Sequence, residues 1–139
     1  MTTETRKKPC SCKAPGADNR VESVTDNVDR MFRAFSDRTR LRILHLLLRG
    51  ETCVGDIVES LQVSQPKVSQ HLAHLRKAGL VTVRKSGLWS YYSLTAAQTS
   101  FHIKLLECLA DCFSHVPEIQ ADEQRARKIG EAGGCCPSG

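Results

Sequence analysis

Apolar positions along this chain fall first at helical intervals, then alternate, then return to helical intervals. Val21, Val24, Val28, Met31 or Phe32, and Phe35 recur every three or four residues, which predicts a helix. The stretch FSDRTRLRILHLLLRGE predicts a second, with Leu41, Leu44 and Leu48 on one face and Leu47 widening it. Ser36 or Asp37 suits its start and Gly50 its end. A short third helix is expected over Val54 to Leu61, with Thr52 or Cys53 at its cap and Ile57, Val58 and Leu61 inward. Ser64 then caps a fourth helix. Pro66 sits in its first turn, where a missing N–H costs little, and Gly79 closes it. Val68, Leu72 and Leu75 mark its buried side.

The period then shifts to two. Val81 and Val83 alternate with Thr82 and Arg84, Lys85-Ser86-Gly87 offers a turn, and Trp89, Tyr91 and Tyr92 lie on the return. This predicts a two-stranded hairpin with a basic tip. From Ala96 to about His115 a last helix places Phe101, Leu105, Cys108, Leu109 and Cys112 in one stripe. The organisation is therefore an arm over residues 1–19, a helical domain with one hairpin over 20–116, and a loose polar Gly/Cys tail over 117–139.

Charge sharpens the picture more through its placement than its sum. The net charge is +5 over 139 residues. No Asp or Glu occurs between Ser60 and Leu106, while Lys67, Arg76, Lys77, Arg84, Lys85 and Lys104 lie there. A basic surface kept clear of carboxylates suits a polyphosphate partner. Two short helices with a tight connection, followed by a hairpin, form the pattern of a winged helix-turn-helix. Its second helix would present Ser64, Gln65, Lys67, Ser69, Gln70 and His74 to base edges and phosphates, and the wing would add Arg84 and Lys85.

Enzymatic chemistry finds no foothold. No Ser-His-Asp or Cys-His arrangement, Gly-rich phosphate loop or HExxH motif occurs at telling spacing. His71 and His74 are three apart, but one borders the buried face and the other points away, so packing or phosphate contact is expected rather than zinc. No apolar run approaches the ~20 residues that cross a bilayer, and the basic start lacks a signal-peptide core. The expectation is a cytoplasmic protein without a membrane partner. Seven cysteines, an odd count in a reducing compartment, then point to metal, metalloid or redox chemistry rather than a disulfide framework.

The run SQPKVSQHLAHLRKAGLVTVRKSGLWSYYSL resembles the recognition helix and wing of the ArsR/SmtB family of metal-sensing repressors, and SDRTRLRILHLLL resembles that family's second helix. The resemblance covers about residues 25 to 113. It implies a homodimer joined through its N- and C-terminal helices, binding a palindromic double-stranded operator when free and releasing it on binding a metal or metalloid. Family members that sense arsenicals or cadmium often carry a CVCD-type motif on the third helix. Here the stretch is Cys53-Val54-Gly55-Asp56, so Gly55 stands where a second thiolate would be.

Cys53, at a helix N-terminus, is expected to be a stabilised thiolate, but it needs partners. Cys10 and Cys12 on the arm would complete the three sulfurs that suit As(III) or Sb(III), and some family members resemble this plan. Cd(II), Pb(II) or Zn(II) usually takes a fourth ligand. Cys108 and Cys112, one turn apart, are the rival pair, although both also fit an apolar stripe. The family's zinc site on the last helix would use His102, but Ser100, Phe113 and Val116 occupy the partner offsets. A thiol-redox or persulfide switch on the same scaffold is the alternative to metalloid sensing. A metal-binding scaffold without DNA activity fits the acid-free span poorly.

Overall fold

The computed structural model describes residues 24–134. Two compact units divide the chain, Met1–Arg30 and Met31–Gly139. Helix α1 covers Val24–Phe35, α2 Arg38–Leu47, α3 Val54–Leu61, α4 Gln65–Lys77, α5 Ser100–Cys112 and α6 Pro117–Glu131. The strands are β1 Thr52–Cys53, β2 Val81–Ser86 and β3 Trp89–Leu94. The molecule is mainly helical with a small antiparallel sheet, as the periodicity predicts.

Local chemistry sets the boundaries. Ser36 closes α1 by donating its hydroxyl to the Arg33 carbonyl at 2.7 Å. Asp37, the N-cap of α2, accepts the Arg40 N–H at 3.0 Å. α4 starts at Ser64 with Pro66 in its first turn. It ends in a left-handed Gly79, φ +78°, followed by Leu80, whose N–H returns to the Leu75 carbonyl at 3.0 Å. That is a Schellman closure, and the accompanying apolar pair, Leu75 and Leu80, is fully buried.

The sheet order is β1-β3-β2, all antiparallel. The hairpin is tighter than expected. Lys85 and Ser86 still pair with Ser90 and Trp89, so Gly87-Leu88 makes the turn. Gly87 has φ +63° and Leu88 does not lie at positive φ, which is the type II′ geometry that matches strand twist. A third strand was not expected: Thr52 pairs with Tyr92, and Cys53 with Tyr91.

The core is aliphatic. Ile43, Leu44, Leu47, Ile57, Leu61, Val68, Leu72, Leu75 and Leu80 are buried in one cluster with Met31 and Leu109. Residues 42–47 of α2 are buried on every side. Residues 117–131, expected to be loose, form α6, which covers the second side. Arg42 donates to both Asp122 oxygens at 2.7 Å and to the Leu61 carbonyl at 2.7 Å. Arg125 donates to Asp122 at 2.9 Å and to the Ser60 carbonyl at 2.6 Å. Two guanidinium groups thus satisfy carbonyls that the end of α3 leaves open. The expected single-faced α2 is corrected accordingly.

Candidate functional site

Two surfaces gather the candidate side chains. The first is the outer side of α4. Burying Val68, Leu72 and Leu75 turns the opposite residues outward. Ser64, Gln65, Lys67, Ser69, Gln70 and His74 are all exposed. The Ser64 hydroxyl caps nothing on its own helix. Arg76 and Lys77 extend the basic surface into the last turn.

His71 is half-buried between α2 and α4. Its Nδ1 lies 3.3 Å from Arg40 Nη1 and 3.8 Å from Asp37 Oδ1. Burial lowers its pKa, and the Arg40 charge lowers it further against the pull of Asp37. The neutral ring therefore accepts from Arg40 and fastens α4 to the start of α2. Arg40 also donates to the Ala34 and Arg33 carbonyls at 2.9 and 3.0 Å, tying the end of α1 to the same joint.

The wing holds the two other cations. Lys85 is exposed. Arg84 is exposed too, but engaged. It donates to Glu51 Oε1 and Oε2 at 2.8 and 3.0 Å, and its guanidinium lies 4.6 Å from the centre of the Tyr91 ring. Glu51, absent from the expected site, sits just before β1. A carboxylate two residues ahead of Cys53 was visible in the sequence, but its partner became visible only through the pairing of β1 with β3.

The second surface is a cavity of about 290 Å³, with Cys53, Glu51, Asp56, Ser60, Tyr91 and Ile129 among its lining. Cys53 is the N-cap of α3, but β-pairing with Tyr91 and the neighbouring α6 leave it 2% exposed. It is disulfide-bonded, and its partner lies outside the described residues. Where the sequence predicts a stabilised thiolate at a helix N-terminus, the structure has a buried cysteine in a disulfide. The Ser60 hydroxyl, also buried at the cavity, has no hydrogen-bond partner among the described residues.

The remaining thiols separate into two cases. Cys108 and Cys112 are free and exposed on α5, not on its buried side, which carries His102 and Leu109. Their proximity raises the Cys112 pKa, chiefly through a hydrogen bond between the two groups. Cys10, Cys12, Cys135 and Cys136 lie outside the described residues. His102 is 1% exposed, and burial lowers its pKa. Among the described residues, no three His, Cys, Asp or Glu side chains gather as a metal cluster.

The comparisons with known proteins agree with this geometry. Residues 37–83 match the family described as bacterial regulatory protein, arsR family. The arsenic resistance transcriptional regulator ArsR1 of Pseudomonas putida is 35% identical over 102 residues, 73% of this chain and 78% of that protein. The arsenical resistance operon repressor of Escherichia coli is 42% identical over 79 residues, 56% of this chain and 68% of that one. Among solved structures, HlyU from Vibrio cholerae superposes with a TM-score of 0.60 at 32% identity, covering 68% of this chain and all of that one. A homodimeric winged helix-turn-helix DNA-binding domain from Mycobacterium bovis gives 0.57 at 27% identity, covering 74% and 94%.

Proposed function

Because the chain belongs to the arsR family of bacterial regulatory proteins, and so is a DNA-binding transcription regulator with a winged helix-turn-helix, we propose that it is a homodimeric repressor whose operator grip is broken by As(III) or Sb(III) at Cys53. The free dimer sets two α4 helices into successive major grooves of a palindromic operator. Gln65 and Gln70 read base edges. Ser64, Lys67, Ser69 and His74 contact bases or phosphates, and Arg84 and Lys85 engage the backbone beside the groove.

One observation carries the metalloid reading: the joint of Cys53 to the wing. Cys53 pairs with Tyr91, Tyr91 lies under Arg84, and Glu51 holds Arg84 from two residues ahead of the cysteine. On its other side, α3 is joined to α4 by only three residues, Gln62, Val63 and Ser64, and packs against it through the core. Drawing other sulfurs onto Cys53 therefore loads both DNA-contacting elements at once. A difference of about 1–3 kcal/mol between the two states is typical of such coupling.

The test is operator binding by the reduced full-length protein, followed by fluorescence anisotropy as arsenite is added. Release is expected with the parent and not with Cys53→Ser, which should still bind DNA. Normal release by Cys53→Ser sinks the reading. The disulfide at Cys53 favours a second reading, a thiol-redox switch on the same scaffold. There a mild oxidant would release the operator and arsenite would not. Cd(II), Pb(II) and Zn(II) belong in the same assay as alternative inducers.

A further inference from the structure

The hairpin ends on a residue that the fold does not use. Gly87 takes the positive-φ position of the type II′ turn, and the second central position, Leu88, accepts any side chain. Leu88 is 99% exposed and adds nothing to the core. One apolar side chain on a surface is ordinary. The surroundings of this one are not.

Consecutive residues of a strand face opposite sides of the sheet. Arg84 and Lys85 therefore place one cation on each face of the hairpin, opposite Tyr91 and Ser90. No Asp or Glu occurs from Val81 to Leu94. Trp89 is 37% exposed, pairs with Ser86 beside the tip and shares the face of Arg84. β2 runs six residues from the closure of α4 to the turn, about 17 Å at ~3.4 Å per residue. That reach is half of a B-DNA turn of about 34 Å, the distance from a major groove to the minor groove beside it. The minor groove, about 6 Å wide, admits a side chain at the turn but not the hairpin behind it.

We propose that Leu88 is a wedge that enters the minor groove and partly unstacks one base step, so that the regulator selects a deformable step where the wing tip falls. With α4 in the major groove, the cation on each face of the hairpin meets one of the two phosphate walls that border the minor groove. Leu88 then lies between them at the base edges. A leucine forms no hydrogen bond, so it reads none of the acceptors on the groove floor. It loses its exposed apolar area between base pairs, and the cost is least where stacking is weakest. Pyrimidine–purine steps, TA and CA/TG, open most readily. The wedge rests on the chain being a DNA-binding winged-helix regulator and is independent of the inducer it answers.

The experiment selects sequences from a pool of randomised duplexes with the reduced full-length chain, Leu88→Ser and Leu88→Met. Parent and Leu88→Met are expected to enrich a TA or CA/TG step at a fixed spacing outside each half-site. Leu88→Ser should enrich the same half-sites without that step. On a duplex from the parent's pool, Leu88→Ser should bind about tenfold more weakly, less than a buried leucine supplies in full because unstacking consumes part of it. Energy transfer between labelled duplex ends should show a smaller bend. The salt slope should not change, since no phosphate contact is lost. Equal melting temperatures of parent and Leu88→Ser, expected for so exposed a position, keep a folding defect out of the comparison. Equal step preference and equal bend in Leu88→Ser overturn the wedge and leave the DNA-binding regulator standing. A loss spread evenly over all sequences with a shallower salt slope also overturns it, because the tip then serves phosphate contacts. So does a variant that selects the same step but sediments differently, which makes the tip a contact between copies. If the parent enriches no sequence at all, the operator-binding reading itself falls, and the wedge with it.

Discussion

Arg84 shows how much a single contact changes the reading of a residue. In the sequence it is a wing cation waiting for phosphate. In the structure it is already held by both Glu51 oxygens and the face of Tyr91. The hydrogen bond from Arg84 keeps the Glu51 carboxyl below the usual carboxylate range, so the pair stays charged well into mildly acidic pH. Glu51→Gln should release Arg84 to DNA. Operator affinity is expected to rise several-fold and the salt slope to steepen by about one unit, the share of one added phosphate contact. Anisotropy titrations between low and moderate salt check this, and an unchanged slope would remove Arg84 from the interface. His102 carries a pH prediction of its own. Burial lowers its folded pKa below the ordinary value, so the unfolded chain takes up the proton first as pH falls. Stability should therefore decline as pH drops from about 6.5, the unfolded value, toward the lowered folded one. Melting temperatures from pH 7.5 to 5 should fall, and less steeply in His102→Gln. The partial burial of His71 and the outward direction of His74 were legible from helical angle alone. The burial of Cys53 was not, because it depends on a strand and a helix distant in sequence.

At the scale of elements, periodicity located α1 to α5 and the hairpin because each has an apolar stripe or a strict alternation. It missed α6 for a physical reason. The inward stripe of that helix is Ile119, Asp122, Ala126 and Ile129, and its second member is a carboxylate. Arg42, eighty residues earlier, together with Arg125, makes Asp122 a core residue. The capping signals were present all the same: Pro117 opens the helix and Gly133-Gly134 ends it. The same ion pair gives a stability prediction. Asp122 and Arg42 have side chains 3% and 10% exposed. Asp122→Ala leaves a buried guanidinium without its main partner, a loss of roughly 3–5 kcal/mol. Urea denaturation followed by far-ultraviolet circular dichroism measures it. A cost below 1 kcal/mol would mean that Glu118, 3.4 Å from Arg42 Nη1, takes over the charge.

For the molecule as a whole, two of the four exposed large apolar side chains among the described residues lie on α1 and α5, the others being Leu88 and Trp89 of the hairpin. Phe32 is 53% exposed and Ile103 44%, and Phe32 meets Phe101 edge to face at 5.3 Å between ring centres. Cys108 and Cys112 are exposed on α5 as well. Such side chains, gathered from α1 and α5, suit a twofold interface, the arrangement that sequence resemblance alone had implied. Ile103→Glu offers a test, because the chain by itself already leaves 44% of that residue exposed and the fold should survive. Two glutamates facing across a twofold axis would desolvate and repel each other. If the parent sediments as the proposed dimer, the variant should sediment as monomers at the same concentration. Binding to a full palindrome with half-sites one helical turn apart, about 10 base pairs, should fall to the level that the parent shows on a single half-site. Retained dimers would place the twofold contact elsewhere. Dimers lost without any loss on the palindrome would mean that one winged domain suffices to hold the operator.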